Sequence, residues 1–287
     1  MDRTAEIRKV LLITLLLNLA VSGTKIAYGY FIRSVGVTSD GFHSLFDGVS
    51  NVAGLIGTRI ASHPPDEQHP YGHRKYETVF AIFVGVLMFI TCFEIFRDSY
   101  HSLQGIRRPV VTMGSFIVML ATLVVNTFVT RYEARVGKRL NSEFLIADSR
   151  HTRSDIYVTF GVIVGLIFIR LDFPLADPIA GIIVGVLIAR AGMQIIKEST
   201  ETLVDRTQAD TALIEQVARS VQGVAECHDI RTRGTRDQVF IDLHVLVNPF
   251  LSVEDSHRIA DNVEEEIKAR FPEIKDVVVH IEPSKQR

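Results

Sequence analysis

Six long apolar segments occupy roughly the first 200 of the 287 residues and constrain the fold more than any other feature. A helix needs about 20 predominantly apolar residues to cross a bilayer, so each segment predicts one transmembrane helix. The second and fifth are the least hydrophobic, because both carry ionisable residues. The segments are Val10–Phe31, Val37–Ile60, Thr78–Phe96, Val110–Thr130, Leu145–Ile169 and Ala176–Ile196.

The overall composition indicates a membrane part joined to a soluble part. Hydrophobic residues make up 47% of the chain, while 22% of the residues are charged, which is high for a purely membrane protein. The formal net charge of −2 provides no basic field for a nucleic acid. Cys92 and Cys227 lie far apart without a CxxC spacing, so they support neither a disulfide framework nor a thiolate metal site.

The distribution of basic residues predicts the orientation in the membrane. The charged first ten residues precede an apolar run without a cleavage pattern, so we expect a retained first helix rather than a signal peptide. With the amino terminus inside, twelve basic residues fall on the inner side of the segments and five on the outer side. Basic residues near membrane helices favour the cytoplasm, and both termini are therefore predicted to be cytoplasmic.

A repeated pattern, DxxHxxxD, marks the two least hydrophobic segments. At helical spacing its three positions share one face, so each copy presents two carboxylates and an imidazole together. Ionisable groups at membrane depth are costly and indicate a functional site. Two histidines and two aspartates from two helices would supply the four ligands of a tetrahedral transition-metal site. The alternative is that the histidines are polar residues at helix ends, satisfied by their neighbours. The residues are Asp40, His43 and Asp47 in one copy and Asp148, His151 and Asp155 in the other.

The loop after the second segment carries another candidate metal group, Asp66, His69 and His73, in the sequence DEQHPYGH. Two histidines four residues apart beside acidic residues can bind Zn2+. Pro64, Pro65 and Pro70 keep the loop out of regular helix. A solvated charged turn is the alternative.

After about Thr200 the pattern changes to that of a soluble domain. The order αββαβ predicts an open sheet with both helices on one face. The fold class is thus a membrane all-α six-helix bundle, residues 1–202, followed by a cytoplasmic α+β domain, residues 203–287. The predicted elements are a helix at Asp210–Val221, strands at Glu226–Arg233 and Gln238–Val247 joined by a hairpin at Gly234–Asp237, a helix at Ser252–Phe271 capped by Ser252, and a strand at Asp276–Ile281.

These features together resemble one family, the cation diffusion facilitators, which export Zn2+ and related divalent metals in exchange for protons. The resemblance covers essentially the whole chain: six spans, the HSLFD and HTRSD motifs, the HPYGH loop, the DPIAG opening of the sixth span and the αββαβ tail. Within the family the chain is most similar to the bacterial zinc/iron exporter branch. The resemblance implies a homodimer whose cytoplasmic domain is ferredoxin-like and binds metal.

The resemblance also implies roles for individual residues. His43, Asp47, His151 and Asp155 would form the transport site, and Asp40 and Asp148 would support the ligands or lie on a proton path. An imidazole at position 43, where the family often has Asp, makes the donor set less hard and suits Zn2+ over Mn2+ or Mg2+. Asp66, His69 and His73 would form a loop zinc site. Lys75 and Asp205 would form an ion pair where the two parts of the dimer meet. The cytoplasmic metal site would comprise His228, His244, His257, His280 and Glu282.

The expected function is therefore export of Zn2+ across the cell (inner) membrane in exchange for H+, with zinc as cargo and as a regulatory or structural ion. Fe2+, Cd2+, Co2+ and Mn2+ remain alternative cargoes. An intramembrane metalloprotease is disfavoured because no histidine lies in an HExxH motif, so no enzymatic activity is expected. A passive metal channel would lack proton exchange. A metal-sensing scaffold without transport is the remaining alternative, and the intact ligand set argues against it.

Overall fold

The computed structural model describes residues 3–31, 35–104, 113–170 and 176–284. Some side chains within these ranges, among them Asp40, His43 and Asp47, lie outside the description. Each predicted span falls on a long helix, although residues 110–112 of the fourth are outside the described ranges. The elements are α1 (Arg3–Phe31), α2 (Val35–Ala61), α3 (Lys75–Leu103), α4 (Met113–Arg139), α5 (Glu143–Arg170), α6 (Ala176–Leu203), α7 (Thr211–Ser220), β1 (Glu226–Thr235), β2 (Gln238–Val247), α8 (Val253–Arg270) and β3 (Ile274–Pro283).

The chain divides into two compact units, Met1–Ser199 and Thr200–Arg287. Helix α6 ends at Leu203 in a left-handed turn, in which Asp205 has φ +58°. The N–H of Arg206 donates to the carbonyl of Glu201, and the N–H of Asp205 donates to that of Thr202. These two bonds satisfy carbonyls that the helix end leaves without partners. The boundary predicted after residue 202 stays a prediction.

The first unit is a helix bundle in which α2 and α5 lie at the centre of the contacts. Helix α2 contacts α1, α3 and α5, and α5 also contacts α3 and α4. Helix α3 approaches α6 closely at Gly85. A Cβ atom at this position would lie only 2.8 Å from Cγ1 of Ile196. Small residues at such crossings allow two backbones to pack tightly within a membrane.

Large apolar side chains cover the outside of this bundle, as expected for a surface that faces lipid. Exposed examples are Leu16 on α1, Phe93 on α3 and Val124 on α4. Among the described residues, α1, α3 and α4 each contain a segment long and apolar enough to cross a membrane. Water-soluble proteins of this size rarely expose such continuous apolar surface. The six-helix membrane fold is confirmed.

A polar junction holds the start of α5 in place. Arg3 donates from Nε to the carbonyl of Leu140 at 2.8 Å and from Nη2 to that of Asn141 at 3.2 Å. It also forms an ion pair with Glu77 at 3.1 Å, and Glu77 accepts a hydrogen bond from Ser142. The junction joins α1 and α3 to the turn between α4 and α5, and so fixes the end of the helix that carries His151.

The second unit has the predicted αββαβ order and is ferredoxin-like. Strand β2 lies between the others, antiparallel to β1 and parallel to β3. Helices α7 and α8 contact each other and share one core with the sheet, so both lie on the same face, as predicted. Asp210 and Ser252 cap the two helices by accepting backbone N–H bonds.

The hairpin between β1 and β2 is tighter than predicted. Thr235 pairs with Gln238, which leaves only Arg236 and Asp237 as the connection. Gly234 has φ +110°, and a Cβ atom there would lie 2.2 Å from the carbonyl oxygen of Gln238. Glycine is therefore required at this position for the turn to close.

Candidate metal centres

His151 and Asp155 lie on one face of α5 inside the bundle. His151 is 3% exposed and Asp155 is partly buried. Residues four apart on a helix lie about 5–6 Å apart between Cβ atoms, so the imidazole and the carboxylate can reach one cation. Helix α5 contacts α2, which carries the HSLFD motif. The side chains of Asp40, His43 and Asp47 are outside the described residues, and their share in the transport site stays a prediction.

Asp148 lies one helical turn before His151 and joins α5 to α2. Its side chain is 1% exposed. Oδ1 accepts a hydrogen bond from Oγ of Ser50 at 2.6 Å, and Oδ2 accepts one from Nδ2 of Asn51 at 2.9 Å. The sequence interpretation missed Ser50 and Asn51, although both follow Asp47 by one turn and so share its helix face.

Glu133 on α4 is a second residue that the sequence interpretation missed. The fourth span was predicted to end at Thr130, which placed Glu133 outside the membrane among basic residues. The helix continues to Arg139, and Glu133 is fully buried against Asp148 and Thr14. The signal was weak, because one carboxylate in the sequence TRYEAR resembles a solvated helix end.

The loop residues Asp66, His69 and His73 are brought together, with one potential ligand atom of each within 4.8 Å of the others. Asp66 lies 3.3 Å from Nδ1 of His69 and 3.4 Å from Nε2 of His73. Hydrogen bonds to the carboxylate, first from the backbone N–H of His69, hold the pKa of Asp66 below its usual value. An ionised carboxylate beside two imidazoles is a suitable donor set for Zn2+.

Three histidines form a row across the sheet of the second unit. His228 on β1 pairs with His244 on β2, which pairs with His280 on β3. Neighbouring rings lie 5.4 Å and 4.7 Å apart between centroids. Side chains alternate along a strand, so these three project on one face while Cys227 and Val245 project into the core with α7 and α8. The histidine row thus occupies the face that the two helices leave uncovered.

Glu282 completes the row from the next position on the same face of β3. Its carboxylate lies 2.8 Å from Nδ1 of His244, 3.4 Å from Nε2 of His228 and 3.8 Å from Nε2 of His280. The hydrogen bond with His244 is the main reason that the pKa of Glu282 is lowered. The ligand atoms of His244, His280 and Glu282 fall within 4.8 Å of one another.

Asp229 joins the cluster and His257 does not. A register shift between His228 and Arg231 leaves Asp229 at φ +50°, with its carboxylate 3.4 Å from Nδ1 of His228. No sequence pattern indicated this bulge. His257 lies on α8 with its side chain 76% exposed and its ring 3.8 Å from Asp261. Its part in a metal site stays a prediction.

Lys75 and Asp205 belong to different units of the chain. Lys75 begins α3, and Asp205 occupies the turn after α6. The ion pair between them therefore also stays a prediction.

Comparisons with known proteins cover almost the whole chain. The family described as the cation efflux transmembrane domain matches residues 11–204, and the cation efflux protein cytoplasmic domain matches residues 207–284. This chain belongs to the cation efflux family, the cation diffusion facilitators. The predicted family is confirmed. Members are transporters of divalent metal cations, so the chain is a membrane transporter and not an enzyme.

Individual relatives match this chain over nearly its whole length. An uncharacterized transporter of Methanocaldococcus jannaschii is 35% identical over 96% of this chain and 98% of its own. The manganese efflux system protein MneS of Bacillus subtilis is 29% identical over 100% of both chains. The magnetosome protein MamB of a Magnetospira strain is 26% identical over 93% of this chain and 92% of its own. A solved MamM CTD structure has 24% identity and a TM-score of 0.25, covering 26% of this chain and 93% of that one.

Proposed function

We propose that this transporter exports Zn2+ from the cytoplasm in exchange for protons. The observation that carries the proposal is the pair on α5 formed by His151, which is buried, and Asp155, which is partly buried. Helix α5 packs against α2, the helix that carries the HSLFD motif. With His43 and Asp47 the donor set has two imidazole nitrogens and two carboxylates. Such a set suits Zn2+ better than harder cations, which prefer oxygen ligands alone.

Proton exchange follows from the chemistry of these ligands. Imidazole and carboxylate bind metal only when deprotonated, so loading of metal releases protons and protonation releases metal. Imidazole ordinarily titrates near pH 6.5, between the values of a neutral cytoplasm and an acidic exterior. Rocking of α2 and α5 within the bundle would expose the site to each side in turn and couple the two fluxes.

The remaining parts of the proposal concern the assembly. The transporter acts as a homodimer in the cell (inner) membrane with both termini in the cytoplasm. Zinc bound by the histidine row and Glu282 stiffens the cytoplasmic domains at high cytoplasmic metal and favours the exporting state. The support for this regulation is the location of four potential ligand residues on the uncovered face of the sheet.

Mn2+ is the second candidate cargo. It is favoured by MneS of Bacillus subtilis, which is named as a manganese efflux protein and matches this chain over its full length at 29% identity. Selectivity among first-row divalent metals depends on site geometry more than on affinity order, so ligand type alone does not separate the two ions.

Uptake by sealed proteoliposomes that contain a pH dye tests cargo and coupling together. The expected result is Zn2+ flux accompanied by an opposite proton flux, with weaker flux of Mn2+, Fe2+, Co2+ and Cd2+. Stronger Mn2+ flux under the same gradient would contradict the zinc assignment. Metal flux without any proton flux would indicate a passive channel.

A further inference from the structure

Two buried carboxyl groups lie next to the transport site and are not explained by metal ligation. Glu133 on α4 is 0% exposed and Asp148 on α5 is 1% exposed, and the two side chains are adjacent. Both oxygens of Asp148 accept hydrogen bonds from α2, through Ser50 and Asn51. Asn51 also donates to Oγ1 of Thr14 at 3.2 Å, so α1 belongs to the same polar network.

The partners of Glu133 suit a protonated carboxyl group better than an ionised one. Its Oε2 lies 3.3 Å from Oγ1 of Thr152, but that hydroxyl also lies 3.1 Å from the carbonyl of Asp148. A hydroxyl has one hydrogen and can fully serve only one acceptor. Among the described residues Oε1 of Glu133 is buried with no hydrogen-bond partner. The hydroxyl of Thr14 is a second donor to Glu133, but it also lies 3.2 Å from the carbonyl of Leu11. An ionised carboxylate would therefore share both donors with backbone carbonyls, whereas the acid form brings its own donor.

The same contacts argue against a metal ion between the two carboxyl groups. The Ser50 hydroxyl and the Asn51 amide already occupy one acceptor site on each oxygen of Asp148 and hold its carboxylate against α2. Within the described residues, the clusters with metal-ligand spacing lie in the loop and in the second unit, not here. Two adjacent carboxyl groups without a cation share a proton, because two buried negative charges side by side repel each other strongly.

Among the side chains that the structure describes, the groups around Glu133 are mostly neutral. Asp148 on α5 is the group whose charge acts on it, and His151 lies one turn further along that helix. Helix α1 contributes Thr14, and α2 contributes Ser50 and Asn51 through Asp148, all of them neutral. On α4 itself, Arg131 and Arg135 are exposed on the outside of the bundle.

The carboxyl pair lies to one side of the transport site. Asp148 precedes His151 by three residues, and Ser50 follows Asp47 by three residues, a rise of about 4.5 Å in each helix. Ser50 and Asp148 are in contact, so both displacements run in the same direction, towards Ala61 of α2 and Glu143 of α5. In the proposed orientation these ends face the cytoplasm.

We propose that Glu133 and Asp148 form a proton-binding pair through which protons displaced from the transport site leave for the cytoplasm. This inference rests on the proposed exchange of metal for protons. When a divalent cation binds at His151 and Asp155, its positive charge favours the ionised form of the pair. One proton then passes from the pair to cytoplasmic water, and the pair is reloaded from the site ligands in the next cycle.

The first test compares Glu133→Gln, which keeps the shape but cannot ionise, with Glu198→Gln as a matched control. Glu198 is a partly exposed carboxylate of α6 paired with Arg150 at 2.9 Å, away from the network. In proteoliposomes Glu133→Gln should reduce metal-driven proton flux at least about fivefold, the lower range of coupling between linked sites. The pH dependence of transport and of metal affinity in detergent should weaken as well, because metal binding no longer displaces a proton from the pair. Glu133→Asp and the control should stay close to wild type.

Suppose that the wild type exchanges metal for protons and that Glu133→Gln has the same proton flux and pH profile. That result would overturn the role of the carboxyl pair and leave the proposed exchange intact. Absence of proton flux in the wild type would instead overturn the proposed exchange. If Glu133→Gln does not fold, infrared difference spectra of the wild-type transporter can show whether Glu133 is protonated before metal binds. Metal addition should remove a protonated-carboxyl band that shifts when glutamate is labelled with carbon-13. A spectrum without that band would overturn the inference.

Discussion

In the proposed transport site, His151 and Asp155 are two ordinary side chains set apart by their burial. A charged residue at the centre of a membrane helix costs about 2.5–3.5 kcal/mol on insertion scales. His151 is nearly inaccessible and Asp155 is partly so, which removes much of the water that would stabilise their charged forms. A bound cation restores favourable interactions to both. We therefore expect these residues to be needed for cargo rather than for folding.

Asp155→Ala should abolish Zn2+ transport, because the cation loses a charged ligand and a neutral water molecule does not replace that charge. The variant should still fold and should still bind zinc through its second unit. The matched control is Arg153→Ala, which changes an exposed side chain two residues earlier on the same helix. Flux into proteoliposomes is the measurement, and flux equal to that of the control would contradict the site.

Glu282 predicts how the isolated second unit responds to acid. Its pKa is lowered, chiefly by the hydrogen bond with His244. A carboxyl group whose pKa is lower in the folded state contributes stability above its unfolded value, ordinarily about 4.3, and loses that contribution as the pH falls through the folded value. Without metal, Glu282→Gln should therefore melt below the wild type at pH 6, and the two melting temperatures should converge below about pH 4. A difference that does not change with pH would contradict this assignment.

At the scale of elements, the register of the sheet brings the candidate metal ligands of the second unit together. His228 and His244 meet because β1 and β2 are antiparallel, and His244 meets His280 because β2 and β3 are parallel. A shift of one residue in either pairing would send a histidine into the core, since neighbouring side chains point to opposite faces. The core pairs of Val245 with Cys227 and with Ile281 help to hold this register.

Zinc should raise the melting temperature of the second unit, and His244→Ala combined with His280→Ala should remove most of that rise. A ligand at about 100 times its dissociation constant adds roughly 2.7 kcal/mol per site to the free energy of unfolding. The rise should shrink below about pH 6, because imidazole must be neutral to bind metal.

Calorimetry of the isolated unit measures the effect, with His257→Ala as the control. His257 lies apart from the row, so its replacement should leave the zinc response of the unit intact. An equal zinc response in the double variant would mean that the histidine row does not bind the ion. Loss of the response in His257→Ala would show that α8 supplies a ligand.

At the scale of the whole molecule, the chain joins two units whose surfaces differ in polarity. The first exposes apolar side chains along its helices, and the second buries its apolar residues between a sheet and two helices. Each unit has a core of its own. The second unit should consequently fold without the first, because its buried contacts are internal.

Residues 203–287 expressed alone should form a soluble, folded domain that dimerises. Circular dichroism and light scattering after gel filtration measure the fold and the mass. Ile241→Asp provides an unfolded reference, since it places a charge at a position that is 1% exposed in the core. An unfolded or aggregated wild-type fragment would show that the membrane unit is needed for the tail to fold, and a folded monomer would contradict dimerisation through this domain.

Much of the fold was predictable from local patterns. The apolar lengths located six helices, and the alternation of Val239, Ile241 and Leu243 located β2, because burial of one face imposes a period that a single segment displays. Ser252 marked the start of α8, since a cap acts within three residues. The paired DxxHxxxD motifs pointed to a metal site for the same reason: each copy occupies one helix face.

The contacts between segments were not predictable in this way. The burial of Glu133 against Asp148, the bond from Ser50 to Asp148 and the bulge at Asp229 join residues that are distant in sequence or depend on strand pairing. The alignment of three histidines required the register of two strand pairs, one of them across an intervening helix. Local patterns state which residues must be buried, but the partner of a buried group is set by how whole elements pack, because packing minimises the free energy of all contacts together.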